Sequence, residues 1–162
     1  MLTAKRLRKL LDYNADTGVF VWRVSNSPRA VAGSIAGTRR PEGYLTICID
    51  GKDYRAHRLA WLHHFGEWPP SLDHKNGDNS HNLIENLRPA TKSQNAANRG
   101  KTCNNTSGFK GVWWRRRYRK WQATIGVNGK RFYLGMFDTP EAAHAAYAAA
   151  AQRLHGEFAR VA

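Results

Sequence analysis

Apolar positions along the chain recur with a period that keeps changing, and each change marks an element. Leu7, Leu10 and Leu11 sit at helical spacing behind Thr3, which predicts a helix over 3–12 capped by that threonine. After the turn signal Asp16-Thr17-Gly18, the run Val19-Phe20-Val21-Trp22-Arg23 predicts a strand. Residues 25–40 are rich in Ser, Pro, Gly and Arg and read mostly as loop. A second strand follows over 43–49, and Asp50-Gly51 turns it back into a third over 52–55. Residues 57–65 predict a helix with Leu59 and Leu62 inward, broken by Trp68-Pro69-Pro70. Between 71 and 99 the pattern is a short strand ending in Asp73-His74, a polar loop, a strand at Asn86-Leu87-Arg88-Pro89 and a helix capped by Thr91. A polar stretch over 101–107 reads as a linker.

The remainder predicts strands over 109–114, 121–127 and 130–137, the last two joined by Asn128-Gly129. Alternation puts Ala123, Ile125, Phe132 and Leu134 on one face and Gln122, Thr124, Arg131 and Tyr133 on the other. Thr139-Pro140-Glu141 opens a final helix with an Ala-rich stripe that includes Tyr147. The expected fold is therefore α+β. N-terminal strands and a helix lead into a β-β-α unit at about 71–99, and a three-stranded antiparallel sheet packed on one α-helix follows. The expected domains are 1–100 and 108–162, with the linker between them.

Charge changes this picture from a fold to a partner. The 162 residues carry 26 Lys and Arg against 12 Asp and Glu, a net charge of +14. No acid lies between Asn86 and Phe137, where twelve of the cations fall. Such a stretch is a footprint for a polyanion. No apolar run of about 18 residues exists to cross a membrane, so nucleic acid is the expected partner. Cys48 and Cys103 belong to no CxxC pair, which argues against a structural zinc site. The basic N-terminus lacks a signal-peptide core, so a cytoplasmic location is expected. No dimerisation heptads are present, and the expectation is a monomer or weak dimer.

The candidate chemistry lies in Leu72-Asp73-His74-Lys75-Asn76-Gly77-Asp78, with Asn95 following 21 residues after His74. A carboxylate beside an imidazole, with an amide oxygen returned from a later element, suits one Mg²⁺ or Mn²⁺ and one activated water. Lys75, Arg88 and Arg99 are nearby cations for phosphates. His57, between Arg55 and Arg58 in the sequence, reads equally as a phosphate contact or as a packed side chain. His81 has a weaker claim on the metal loop.

Residues 5–99 resemble the HNH endonucleases of phage and intron-homing type. The resemblance rests on Tyr54-Arg55-Ala56-His57-Arg58-Leu59-Ala60-Trp61, Asp73-His74-Lys75-Asn76-Gly77-Asp78, Asn86-Leu87-Arg88 and Gln94-Asn95 with Asn98. It implies His74 as the base that deprotonates water, Asp73 and Asn95 as metal ligands, and Asn86 as the brace of the loop. Residues 107–158 resemble the plant ethylene-response-factor (Apetala-two) DNA-binding domain, on Gly108-Phe109-Lys110-Gly111-Val112, Lys120-Trp121, Leu134-Gly135 and Phe137-Asp138-Thr139. That family binds duplex DNA through its sheet, which implies Lys110, Trp113, Arg115, Thr124, Gly126, Arg131 and Tyr133 as facing positions. Arg117 and Gln122 join them on the same surface. Trp113 stands where the family usually has Arg, and Thr124 and Gly126 replace Glu and Arg, so the relatives' sequence preference does not transfer. Together the resemblances imply a metal-dependent, homing-type DNA endonuclease acting in the cytoplasm of a phage-infected bacterium. The rivals are a non-catalytic DNA-binding regulator and a nuclease acting on RNA or branched DNA.

Overall fold

Thr3 caps the first helix in the computed structural model, which describes residues 1–161. Its Oγ1 accepts from the Arg6 amide at 3.2 Å, and α1 runs Ala4–Leu10. The helix ends earlier than its apolar spacing predicts. Leu11 turns extended (φ −136°) and starts strand β1, Leu11–Tyr13. β1 pairs antiparallel with β2, Phe20–Trp22, in the register Leu11↔Trp22 and Tyr13↔Phe20. Leu11 is thus buried by either conformation, and pairing with a neighbouring strand decides between them.

The chain divides into two compact units, Met1–Pro89 and Ala90–Ala162. In the first, the segment 25–40 is not wholly loop. It supplies β3, Ile35–Ala36, which joins β2, and β4, Thr38–Arg39, which joins β5, Leu45–Ile49. β5 turns into β6, Lys52–Arg55, through Asp50 and Gly51, both at positive φ (49° and 75°), the geometry of a tight hairpin. α2, Ala56–Phe65, follows without a break and ends on left-handed Gly66. Leu7, Leu11, Phe20, Ile47, Ile49, Leu59 and Leu62, each at most 2% exposed, form the core. Each such side chain contributes about 1.5–3 kcal/mol by leaving water. Strands β7, Leu72–His74, and β8, Leu87–Pro89, pair antiparallel, and Leu72 and Leu87 join that core.

The second unit begins with α3, Lys92–Ala97. A capping box between Thr91 and Gln94 starts this short helix. Strands β9, Val112–Arg115, β10, Lys120–Val127, and β11, Lys130–Phe137, form an antiparallel sheet in the order β11-β10-β9. Helix α4, Pro140–His155, buries Ala143, Tyr147, Ala150 and Ala151 with Val112, Ala123 and Ile125. A bulge interrupts the expected alternation. The register passes from Ala123↔Gly135 to Thr124↔Tyr133, leaving Leu134 as the extra residue. Leu134 packs against the core, whereas Phe132, opposite Ile125 on the edge strand, is 47% exposed.

The division between units falls between Pro89 and Ala90, ahead of the predicted linker at 101–107. Helix α3 clusters with the C-terminal sheet for physical reasons. The Asn128 amide donates to Ser93 Oγ at 3.0 Å, Lys110 Nζ donates to the Ala97 carbonyl, and Ala90 and Ala97 pack with Phe158. The stretch before β9 is tied down as well, since Asn105 Nδ2 donates to Phe109 O at 2.7 Å and Ser107 Oγ to Val112 O at 2.8 Å.

Candidate active site and nucleic-acid interface

The β7–β8 pair sets Asp73 opposite Arg88 and His74 opposite Leu87. Both Asp73 (6% exposed) and His74 (4%) are buried. Arg88 answers the buried carboxylate directly. Its Nε donates to Asp73 Oδ2 at 3.0 Å and its Nη2 lies 2.9 Å from the same oxygen. Arg88, expected from the sequence to meet a phosphate, is thus engaged in an ion pair with Asp73.

His74 Nε2 lies 3.1 Å from Asn82 Oδ1. A side-chain oxygen can only accept, so it selects the tautomer with hydrogen on Nε2 and the lone pair on Nδ1. Burial pushes the His74 pKa below the usual histidine value, against the hydrogen bond it donates to Asn82 and the charges of Asp73 and Asp78, which raise it. The imidazole is consequently neutral at physiological pH, as a base must be before it acts.

Asn82 itself was not identified by sequence reasoning. It is 1% exposed, and the N-terminal hairpin holds its backbone. Tyr13 Oη donates to the Asn82 carbonyl at 2.7 Å, and the Ile84 amide donates to the Ala15 carbonyl at 3.1 Å. Gly18 comes so close that a Cβ there would lie 2.6 Å from the Asn82 carbonyl carbon and the Leu83 nitrogen, which together with its φ of +71° requires glycine. The only local signal for Asn82 is a polar residue ahead of Leu83-Ile84, a pattern common to many turns.

Asn86 fastens the intervening loop with its side chain. Its Oδ1 accepts from the Asn76 amide at 3.1 Å, and its Nδ2 donates to Asn76 Oδ1 at 3.1 Å and to the His81 carbonyl at 2.7 Å. Lys75 is exposed beside it, and its amide donates to the Asn86 carbonyl at 2.8 Å. Asn76 Nδ2 donates to His81 Nδ1 at 3.0 Å, so His81 belongs to the loop's hydrogen-bond network.

His57, open between two readings in the sequence, is 8% exposed at the start of α2. Its ring meets His74 edge-to-face at 5.0 Å between centroids and Tyr44 at 5.4 Å. The Arg55 guanidinium lies 4.0 Å above the Tyr44 ring. Burial, then His74, Arg55 and Arg58, push the His57 pKa down to about 3, so this second imidazole is also neutral. Its buried Nδ1 has no hydrogen-bond partner, which costs about 1–3 kcal/mol relative to an apolar side chain.

Of the other positions, Asn95 is half-buried on α3 and Arg99 is exposed just beyond it, both in the second unit. Asp73, His74, Lys75, Asn86 and Arg88 lie together in the first. Among the described residues no group of three or more His, Cys, Asp and Glu is assembled for a metal.

On the sheet of the second unit, Trp113, Arg115, Arg131 and Tyr133 are exposed and Gln122 is half-exposed, and Arg117 is exposed in the turn between β9 and β10. Arg131 lies 5.7 Å from the Trp113 ring centroid, and Arg115 Nε donates to Gln122 Oε1. These side chains form a cationic, aromatic surface on β9–β11. Two positions expected there are placed otherwise. Thr124 is buried (6% exposed), and Lys110 is turned inward, its Nζ donating to the carbonyls of Ala97 and Arg160. Burial lowers the Lys110 pKa to about 8.

Comparison with known proteins agrees with both halves of this layout. The family model described as HNH endonuclease matches residues 54–97, from β6 through α3. The model described as AP2 domain matches residues 107–157, the sheet and α4. Protein 3.8 of Escherichia phage T7 is 32% identical over 108 residues, which span 65% of this chain and 88% of that protein. The paired strands that present Asp73 and His74, the match across 54–97 and the shared length with a phage protein lead to one assignment: the chain belongs to the HNH endonuclease family and carries an AP2 domain behind the HNH segment.

Proposed function

We propose that the chain is a metal-dependent endonuclease of duplex DNA, of the homing type, with His74 as general base. The observation that carries this reading is the His74–Asn82 hydrogen bond, which fixes the orientation of a buried, neutral imidazole beside Asp73. Asn82 orients the ring, and Asn86 holds the loop from Asn76 to His81 around it. His74 Nδ1 takes a proton from water, and the resulting hydroxide attacks phosphorus in line with the departing 3′ oxygen. The products carry a 5′-phosphate and a 3′-hydroxyl. Lys75 is placed on the exposed rim of the loop to meet a phosphate.

The donor set fits a hard divalent ion. The Asp73 carboxylate is an oxygen ligand of the kind that binds Mg²⁺ or Mn²⁺ and leaves the remaining positions to other oxygen donors, water and substrate phosphate. When bound, one such ion would supply the positive charge that stabilises the phosphoryl transition state and the leaving oxygen. The AP2 sheet supplies duplex affinity through Trp113, Arg115, Arg117, Gln122, Arg131 and Tyr133, with Arg99 contributing charge ahead of it. A single active unit per chain cuts one strand, as a monomer or weak dimer. The likeness to a phage protein supports a site of action in the host cytoplasm.

One observation favours a second reading, a DNA-binding regulator without cleavage. Arg88 already neutralises Asp73 in a pair with side-chain exposures of only 11% and 7%. Incubation with supercoiled plasmid separates the two. Mg²⁺-dependent nicking that is abolished by chelator and by His74→Ala, with plasmid binding retained, is the expected result. Binding without metal-dependent loss of supercoils on several plasmids would make the regulator the correct reading.

A further inference from the structure

Two imidazoles share the pocket, and the mechanism above uses only one. His57 is buried to more than nine-tenths and makes no hydrogen bond, and its ring sits edge-to-face on His74 at 5.0 Å. Packing alone would favour phenylalanine, which carries no unpartnered polar atom. Of its two nitrogens, Nδ1 is the one fully enclosed, so the small remaining exposure leaves Nε2 as the nitrogen able to meet a ligand. With Nδ1 as the bare lone pair, Nε2 carries the hydrogen and donates.

We propose that His57 is a second catalytic group of this site, whose Nε2–H donates a hydrogen bond to a non-bridging oxygen of the scissile phosphodiester while His74 activates the water. The reading rests on His74 being the base. Two rings 5.0 Å apart are close enough to serve one phosphate, one through its oxygen and one through the attacking water. Neutrality matters here. Burial and the neighbouring Arg55 and Arg58 keep His57 uncharged, so it donates without placing a second positive charge beside the imidazolium that His74 becomes. The contact would strengthen as charge builds on the phosphoryl oxygens, and its effect falls on kcat rather than on DNA affinity.

The test uses the full chain with supercoiled plasmid and Mg²⁺, and compares His57→Phe with His57→Gln. Phenylalanine keeps a ring against His74 and Tyr44 but removes the donor. Glutamine removes the ring and keeps an N–H. His57→Phe is expected to melt at or above the wild-type temperature, to bind plasmid within about twofold of wild type, and to lose about 10–100-fold in kcat. His57→Gln is expected to recover most of that loss. Wild-type nicking by His57→Phe would overturn the proposal. So would folded Phe and Gln variants that are equally slow, because ring shape would then be the cause. If the Phe variant does not fold, the Gln variant decides alone, by near-wild-type kcat or by a loss as large as that of His57→Ala. An inactive His74→Ala beside a fully active His57→Phe would reject this inference alone, whereas an inactive wild type would reject the nuclease reading beneath it.

Discussion

Replacing Asn82 tests whether the tautomer of His74 is set as its contact implies. The hydrogen bond spans 3.1 Å between His74 Nε2 and Asn82 Oδ1, and both residues are buried. Asn82→Leu keeps the side-chain volume and leaves the Nε2 hydrogen without an acceptor, at a cost of about 1–3 kcal/mol. The same substitution removes the Asn82 amide nitrogen, which is buried and unpartnered, and so gains a comparable amount. Global stability should therefore change by no more than about 1–2 kcal/mol, while loss of ring orientation lowers single-turnover nicking about 10–100-fold. Asn82→Asp separates orientation from charge. A carboxylate there holds the ring in place but stabilises its protonated form, raising the His74 pKa. The acid limb of the pH–rate profile should then shift to higher pH, with activity recovering as pH rises. The assay is Mg²⁺-dependent plasmid nicking across roughly pH 5.5–9, with chemical denaturation alongside. A Leu variant with wild-type rate, or an Asp variant whose acid limb stays in place, would refute the reasoning.

Other consequences follow from burial and close contact. Arg88→Ala strands the Asp73 carboxylate in a nearly dry pair and should destabilise the first unit by about 3–5 kcal/mol, measured by urea denaturation. His57 takes up protons less readily when folded, its pKa lying at about 3 against 6.5, so the unfolded chain binds more protons below pH 6.5. Its contribution is complete above pH 6.5 and is lost as pH falls toward 3, on the order of 5 kcal/mol in all. His57→Phe should flatten the stability-versus-pH curve over that window, and an unchanged curve would show that another group carries it. Gly111→Ala would set a Cβ 2.3 Å from the Tyr147 ring at a φ of +76°, and should cost about 2–5 kcal/mol, seen as selective loss of the AP2 unit's thermal transition. Arg131→Ala should lower the salt dependence of duplex binding by about one counterion, measured by titration at several salt concentrations.

Much of the fold was legible because the signals are local. Thr3, Thr91 and Thr139 cap helices through their own side chains, and Asp50-Gly51 and Asn128-Gly129 turn hairpins because their backbones reach positive φ. The errors are non-local. Leu11 satisfies a helical stripe and a strand equally well, and only Trp22 opposite it chooses. The bulge at Leu134 adds a residue that period-two counting does not foresee, and Phe132, on the face of Ile125 as the alternation expects, is still 47% exposed on the edge strand β11. Thr124 and Lys110 sit where a DNA-facing pattern would put them, yet one is buried and the other caps carbonyls, because neither burial nor hydrogen-bond partners are written in the alternation.

For the candidate site the division is similar. The sequence by itself determined the chemistry, since Asp73 beside His74, the amides at 86 and 95, and an acid-free basic stretch are properties of residue type and order. Tertiary structure decided what each group is able to do. Arg88 reaches Asp73 across a strand pair, Asn82 meets His74 through a loop held by Tyr13 and Gly18, and His57 comes to His74 from a helix 17 residues earlier. Protonation state, tautomer and orientation depend on burial and on partners brought from distant positions. Those quantities exist only once the chain has closed on itself.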